Sequence, residues 1–370
     1  MHQLSSWCKQ IGEKLVDASI DPDLVLQGTL KAQPTDLRPR TMPIAVDWPE
    51  KIYTSLEAEW SFHIRGDRVP LSDVSLELVS PSVDGPLRLS VSAADASEDI
   101  ELQLFDRDGV PAFDFLCRDS LRVQHGNGEP RSARAFFNED PLVIWFADGS
   151  SLEGNQLVEL RRTGPPYDRE KIEVWDWEGV QIRRESQGKR KNPNTIQART
   201  ISRLIGLNRY RVVVDDDGKG EAADIVAIHV VGEGPKREIA VDFYHCKFSA
   251  KETPGARIDD LYQVCGQAQK SIHWMTTPEK RTDLFTHLLR REAARGSKKG
   301  TTSRFQIGDN EELLSIREMS RSCPVSLRIF IVQPGLSKSR ASLEQLELLS
   351  VSETYLFETF RIQFGVIASA

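Results

Sequence analysis

No CxxC pair occurs in the chain, and its five cysteines, Cys8, Cys117, Cys246, Cys265 and Cys323, are odd in number and far apart. Disulfide-stapled domains and zinc knuckles bring their sulfurs together at close, regular spacings, so neither is expected. Long apolar runs are missing too. A membrane-crossing helix needs about 20 consecutive apolar residues. The opening MHQLSSWCKQIGEKLVD alternates polar and apolar residues at helical spacing and lacks the apolar stretch and cleavage site of a secretory signal. These absences point to a cytoplasmic chain without a membrane partner. What is present, 39% hydrophobic and 28% charged residues over 370 positions, is the composition of a globular protein large enough for two or three cores.

An overall basic excess is also lacking, since the formal net charge is -7. The mean hides an asymmetry. Residues 1–165 hold 16 Lys+Arg against 27 Asp+Glu, a balance of -11, and residues 166–370 hold 32 against 28, a balance of +4. Within the basic half, residues 183–203 (RRESQGKRKNPNTIQARTISR) carry seven basic residues and one acidic, and residues 280–304 carry eight and two. Such blocks can neutralise phosphates, and Lys189, Arg190, Lys191, Arg199, Lys298 and Lys299 are the candidate nucleic-acid contacts. Solvated faces and loops would read the same way.

Three stretches follow one another. Residues 1–50 read as a helix near 3–17 and a Pro-rich lead-in through Pro34, Pro39, Pro43 and Pro49. Residues 51–165 show short alternating runs such as SLEAEWSFHI, LRLSVSA and DIELQLF, broken by Gly, Pro, Asp and Asn, which predicts an antiparallel β-rich domain. No catalytic constellation stands out there. Residues 170–370 predict, in order, a helix over 195–205, strands over 209–215, 223–231 and 237–248, a helix near 257–273, a strand over 326–334, a helix over 342–360 and a strand over 362–369. The short connections among the first three strands make them an antiparallel meander.

The polar residues around that meander carry the chemistry. Asp224 opens the second strand, and His245 and Lys247 lie two apart at the end of the third, so they share a face. Asp242 falls on the opposite face and is set aside. Cys246 also points away from His245, and Cys265 sits on the apolar stripe of its helix; buried thiols explain both better than a zinc site with His245 and His273.

GEAADIVAI (220–228), VDFYHCKFS (241–249) and a following helix with QVCGQ (263–267) resemble the PD-(D/E)XK nuclease superfamily over about residues 195–369. The resemblance implies a restriction-endonuclease-like core, a central mixed sheet flanked by helices, so that the chain as a whole is α+β or α/β. It implies metal-dependent endonuclease activity on DNA with Mg²⁺ or Mn²⁺. Asp224 would bind metal, Lys247 would position or activate water, Gln263 or Gln267 would be the glutamine of the following helix, and Gln197 would take the first-helix position. The pattern is broken at its acidic residue, where His245 stands. A neutral imidazole can ligate a metal, though it suits Mn²⁺ better than Mg²⁺. Glu221 ranks second to Asp224 as a carboxylate ligand, with Asp216 and Asp217 more remote. RNA as substrate, or a binding module whose metal site has decayed, remain alternatives. The run also looks like the C-terminal region of bacterial helicase-linked phage-defence proteins, which would make a helicase or other defence-system subunit a partner.

Overall fold

Alternation of small polar and apolar side chains becomes pleat in the N-terminal half of the structure, a computed structural model that describes residues 2–16, 32–53, 60–93, 96–159, 165–188, 190–275, 278–296 and 302–370. LRLSVSA forms a strand whose apolar positions are all buried and whose intervening residues face outward. Helix α1 (His2–Val16) precedes the region. Thirteen strands build it: β1 (Ala32–Pro34), β2 (Pro43–Asp47), β3 (Trp60–Ile64), β4 (Asp67–Pro70), β5 (Ser75–Leu78), β6 (Leu87–Ala93), β7 (Ala96–Arg107), β8 (Val110–Cys117), β9 (Arg122–His125), β10 (Arg131–Ser132), β11 (Val143–Phe146), β12 (Ser151–Glu153) and β13 (Gln156–Val158). They form three antiparallel sheets in the orders β5-β6-β7-β8, β10-β9-β3-β4 and β1-β13-β12-β11-β2. Helix α2 (Ala133–Glu139) adds Phe136 and Phe137 to their shared core.

The Pro-rich stretch is more than a lead-in. β1 and β2 come from it and take the two edges of the five-stranded sheet, where a residue without an N–H costs no ladder bond.

The C-terminal half has one seven-stranded sheet. It contains β14 (Ile172–Val174), β15 (Val212–Asp215), β16 (Ile225–Val231), β17 (Glu238–Cys246), β18 (Phe305–Ile307), β19 (Val325–Ser337) and β20 (Gln363–Ser369), in the order β14-β20-β19-β17-β16-β15-β18. β15, β16 and β17 form the expected antiparallel meander. β17, β19, β20 and β14 run parallel. Buried on both faces, β17, β19 and β20 read as nearly continuous apolar runs. Helix α3 (Ile196–Gly206), capped by the Thr195 side chain, packs Ile196, Ile201 and Leu204 on one face. On the other face lie α4 (Asp259–Lys270), α5 (Pro278–Gly296), α6 (Asn310–Met319) and α7 (Leu343–Thr354). The basic stretch 280–304 had no assigned structure in the sequence; it supplies most of α5, anchored by Leu284, Phe285 and Leu288.

The two halves meet through β2 and α4. Gly266 lets them touch: a Cβ there would stand 2.3 Å from the Ile44 carbonyl oxygen and 2.8 Å from Ala45 Cβ. Among the described residues no helix is long and apolar enough to cross a membrane.

Candidate metal centre and its cavity

The chain leaves β15 through DDDGKGE, where Gly218 (φ +120°) and Gly220 (φ +72°) adopt backbone conformations that L side chains rarely take. Arg291 of α5 pins this loop, with Nε 2.5 Å from Asp216 Oδ1 and Nη2 2.7 Å from the Asp216 carbonyl. Asp216 also accepts from Ala222 N at 2.8 Å, so this fully buried carboxylate is consumed by the fold. Asp217 and Glu221 are held more lightly, Asp217 accepting from Ser186 Oγ and Glu221 Oε2 from Gly218 N at 2.7 Å. The loop turns Asp217 and Glu221 toward Asp224, and one carboxylate oxygen from each of the three lies within 4.8 Å of the others. Among the described residues this is the group of acidic, histidine or cysteine side chains placed to hold a metal ion.

Asp224 is 2% exposed and sits just before β16, its Oδ2 accepting from Cys246 N at 2.9 Å. Gln197 of α3 braces the loop from behind, donating to Asp215 Oδ1 at 3.0 Å and to the Asp224 carbonyl at 3.3 Å. Burial pushes all three carboxyls upward. Glu221 rises to about 8, with Asp217 the next cause; Asp224 is raised by burial, then by Glu221 and Glu185; Asp217 is raised by burial against a lowering bond from Ser186. Three oxygen donors that are costly to ionise side by side suit a hard divalent cation, which would reverse that cost.

Lys247 follows β17 and is 9% exposed. Its Nζ lies 3.0 Å from Glu185 Oε2 and 4.8 Å from the Phe248 ring centre. Glu185 also accepts from Phe248 N at 3.1 Å. His245 is on the face shared with Lys247, as the period of two requires, but is not one of the three clustered residues. Its Nε2 is 2.8 Å from Ser271 Oγ, and burial, followed by Lys270, pushes its pKa down to about 3. The imidazole is therefore neutral. Ser271 donates to the Gln267 carbonyl at 3.0 Å, leaving the histidine to donate from Nε2. Cys246 turns to the other face, with Sγ 3.8 Å from Thr200 Oγ1, and Asp242 on that face is held by Tyr210 at 2.7 Å and by Arg328 at 2.7 and 2.6 Å. Both were expected to point there.

A cavity of about 680 Å³ separates the two halves. Glu221, Glu185, His245, Lys247, Gln263 and Gln267 line it from the C-terminal half, and β2 and β5 contribute apolar residues together with Asp47 and Glu77. Most of the residues read from the sequence thus converge on one space. The basic candidates divide. Arg190 is exposed, whereas Lys191 Nζ is committed to buried Asp215 at 2.7 Å and Arg199 donates to the Asp176 and Glu178 carbonyls. Lys189, Lys298 and Lys299 lie outside the described residues.

One contributor lacked a sequence signal, and another ranked only as a remote candidate. Glu185 is the single acid in a basic run, and only folding brings it to Lys247. Asp217 is one of three consecutive aspartates, and the loop's glycines and Arg291 decide which of them faces Asp224. No protein-family model matches the chain, and comparison with curated proteins and with solved structures finds no match.

Proposed function

We propose that the C-terminal half is a metal-dependent nuclease with a restriction-endonuclease-like core, which hydrolyses phosphodiester bonds at the Asp217, Glu221 and Asp224 cluster. The observation that carries this reading is the cluster of three carboxylates, of which Glu221 lines the same cavity as Lys247. The order α3, β15, β16, β17, α4 and, after α5, β18 and α6, β19, with β17 and β19 parallel, supports the kinship with PD-(D/E)XK enzymes. On this reading Glu221 and Asp217, from an irregular loop, supply the negative charge that His245 at the broken acidic position does not.

Mg²⁺ or Mn²⁺ held by these oxygens would supply Lewis acidity and a water acidified toward neutral pH. The chain's own groups do the rest. Cys246 N–H fixes the orientation of Asp224, Gln197 fixes the backbone beneath it, and Lys247 offers Nζ donors to a phosphate oxygen or to the attacking water. Glu185 shares Lys247 in the resting protein and so keeps the ammonium near the cluster. DNA is the expected polymer, RNA the alternative, and a helicase or other defence-system subunit the expected partner on the ground of resemblance.

Purified protein should cut with Mg²⁺ or Mn²⁺ and lose about a hundredfold or more in rate on Asp224→Asn, since even residues supporting a ligand cost 10–100-fold. Parental cleavage by that variant in a gel assay would remove the cluster from the chemistry. The second reading, a binding module without cleavage, draws on the neutral His245 and the Lys247–Glu185 pair; it takes over if neither metal supports cleavage of any DNA or RNA.

A further inference from the structure

Two negative sites can draw Lys247. It follows Cys246, whose N–H bonds Asp224 Oδ2 at 2.9 Å, so an ammonium on a flexible four-carbon stem has the reach to enter the carboxylate cluster. Glu221 of that cluster lines the same cavity as Lys247. The fold nevertheless gives the ammonium to Glu185: Nζ lies 3.0 Å from Glu185 Oε2, and among the described residues Glu185 is the carboxylate in ion-pair contact with it. The Phe248 ring, centred 4.8 Å from Nζ, covers the ammonium as well.

This hold is built into the backbone on both sides. The Glu185 carbonyl accepts from Gln197 N at 3.0 Å and the Arg184 carbonyl from Ile196 N at 3.1 Å, which ties the segment to the first turn of α3. On the other side the Ile182 carbonyl accepts from Ser249 N at 2.7 Å, and Glu185 Oε2 itself accepts from Phe248 N at 3.1 Å. Glu185 is therefore fixed between α3 and the chain that leaves β17. An exposed ion pair would contribute little. Here the Lys247 and Glu185 side chains are only 11% and 23% exposed, so an ammonium that lost Glu185 would turn to another carboxylate rather than stay unpaired.

An ammonium and a divalent cation compete for the same oxygens. We infer that Glu185 is a positioning residue of the centre: by holding the Lys247 ammonium beside the carboxylate cluster and out of it, Glu185 keeps Asp217, Glu221 and Asp224 open to a cation and leaves the other N–H donors of Lys247 for a phosphate oxygen. The inference rests on reading the cluster as the metal centre of a nuclease, and its test reads metal affinity rather than turnover. Mn²⁺ is titrated by calorimetry into the full chain, its Glu185→Gln and Lys247→Met variants and the double variant, each first shown to melt cooperatively. Glutamine keeps an acceptor for Phe248 N, and Lys247→Gln takes the place of the methionine variant should that one not fold. In the parental chain Glu185→Gln should weaken Mn²⁺ binding by about 10–100-fold, the loss usual for a residue that supports ligands. Against Lys247→Met, where no ammonium can enter the cluster, the loss should be at least about fivefold smaller. Equal losses in the two backgrounds would mean that Glu185 acts through its own charge, and no loss in either that it only secures the chain after β17; each overturns the inference. Mn²⁺ binding by none of the four proteins removes the metal centre and the inference with it. The expected pattern in a chain that cuts neither DNA nor RNA keeps the positioning role and rejects the nuclease; equal losses in a chain whose cleavage Asp224→Asn abolishes do the reverse.

Discussion

Asp217, Glu221 and Asp224 each hold a proton more tightly than an exposed carboxyl does, because burial penalises the charge and nearby carboxylates add to the penalty. A cation must therefore displace protons to bind. Metal affinity is expected to fall as the pH drops through about 8, where Glu221 protonates. Calorimetric titration in two buffers of different ionisation enthalpy should reveal the released proton; identical heats would place the metal elsewhere. The sign for metal-free stability follows. Between the ordinary carboxyl value of 4.5 and about 8 the folded chain binds more protons at Glu221 than the unfolded one, so this residue's contribution declines as the pH rises across that window.

His245 behaves in the opposite way. With its pKa at about 3 against an ordinary 6.5, the unfolded chain takes up a proton that the folded chain refuses. Stability is fully present above 6.5 and is lost as the pH falls toward 3. His245→Gln, which can still bond Ser271, should flatten that acid limb in urea titrations at pH 7 and pH 5, and it should leave the choice between Mg²⁺ and Mn²⁺ unchanged. A switch in metal preference would restore the histidine as a ligand.

At the scale of elements, the basic run 183–203 illustrates what a sequence can and cannot give. Its charge count is plain, yet charge alone does not tell a phosphate contact from a buried ion pair. Lys191→Ala should cost about 1–3 kcal/mol of folding stability, because Asp215 would keep only the Gln187 and Gln197 amides as partners. Arg190→Ala should leave stability alone and reduce the salt slope of nucleic-acid binding by about 1. The opposite assignment of the two effects would show that Lys191 leaves Asp215 to meet the polymer. Most strands and helices of residues 195–369 were legible because period-two and period-3.6 patterns are local, but α5, β18 and α6 were not read. The parity of β17 alone separated His245 and Lys247 from Asp242 and Cys246. The ends of elements, where Asp224 and Glu221 work, depend on loop geometry that no periodicity encodes, and Glu185 reaches Lys247 across 62 positions of chain.

At the scale of the molecule, the contact between halves was invisible beforehand for the same reason. Residues 32–47 read as a connector because proline suppresses strand patterns, and nothing in the sequence pairs Ile44 with Gly266. In the fold, β2 is buried at all five positions and belongs to two cores, giving Ile44 to the C-terminal cluster and Val46 to the N-terminal one. Neither core is complete without that strand, so losing either one strips a wall from the other. The consequence is thermal: the two halves should melt together, in a single calorimetric transition whose van't Hoff and measured enthalpies agree, despite a length at which independent domains are the rule. Gly266→Ala forces Ile44 outward, at a cost of about 1–3 kcal/mol. It should lower that one transition or divide it into two, turning a jointly held structure into a pair of separately melting bodies.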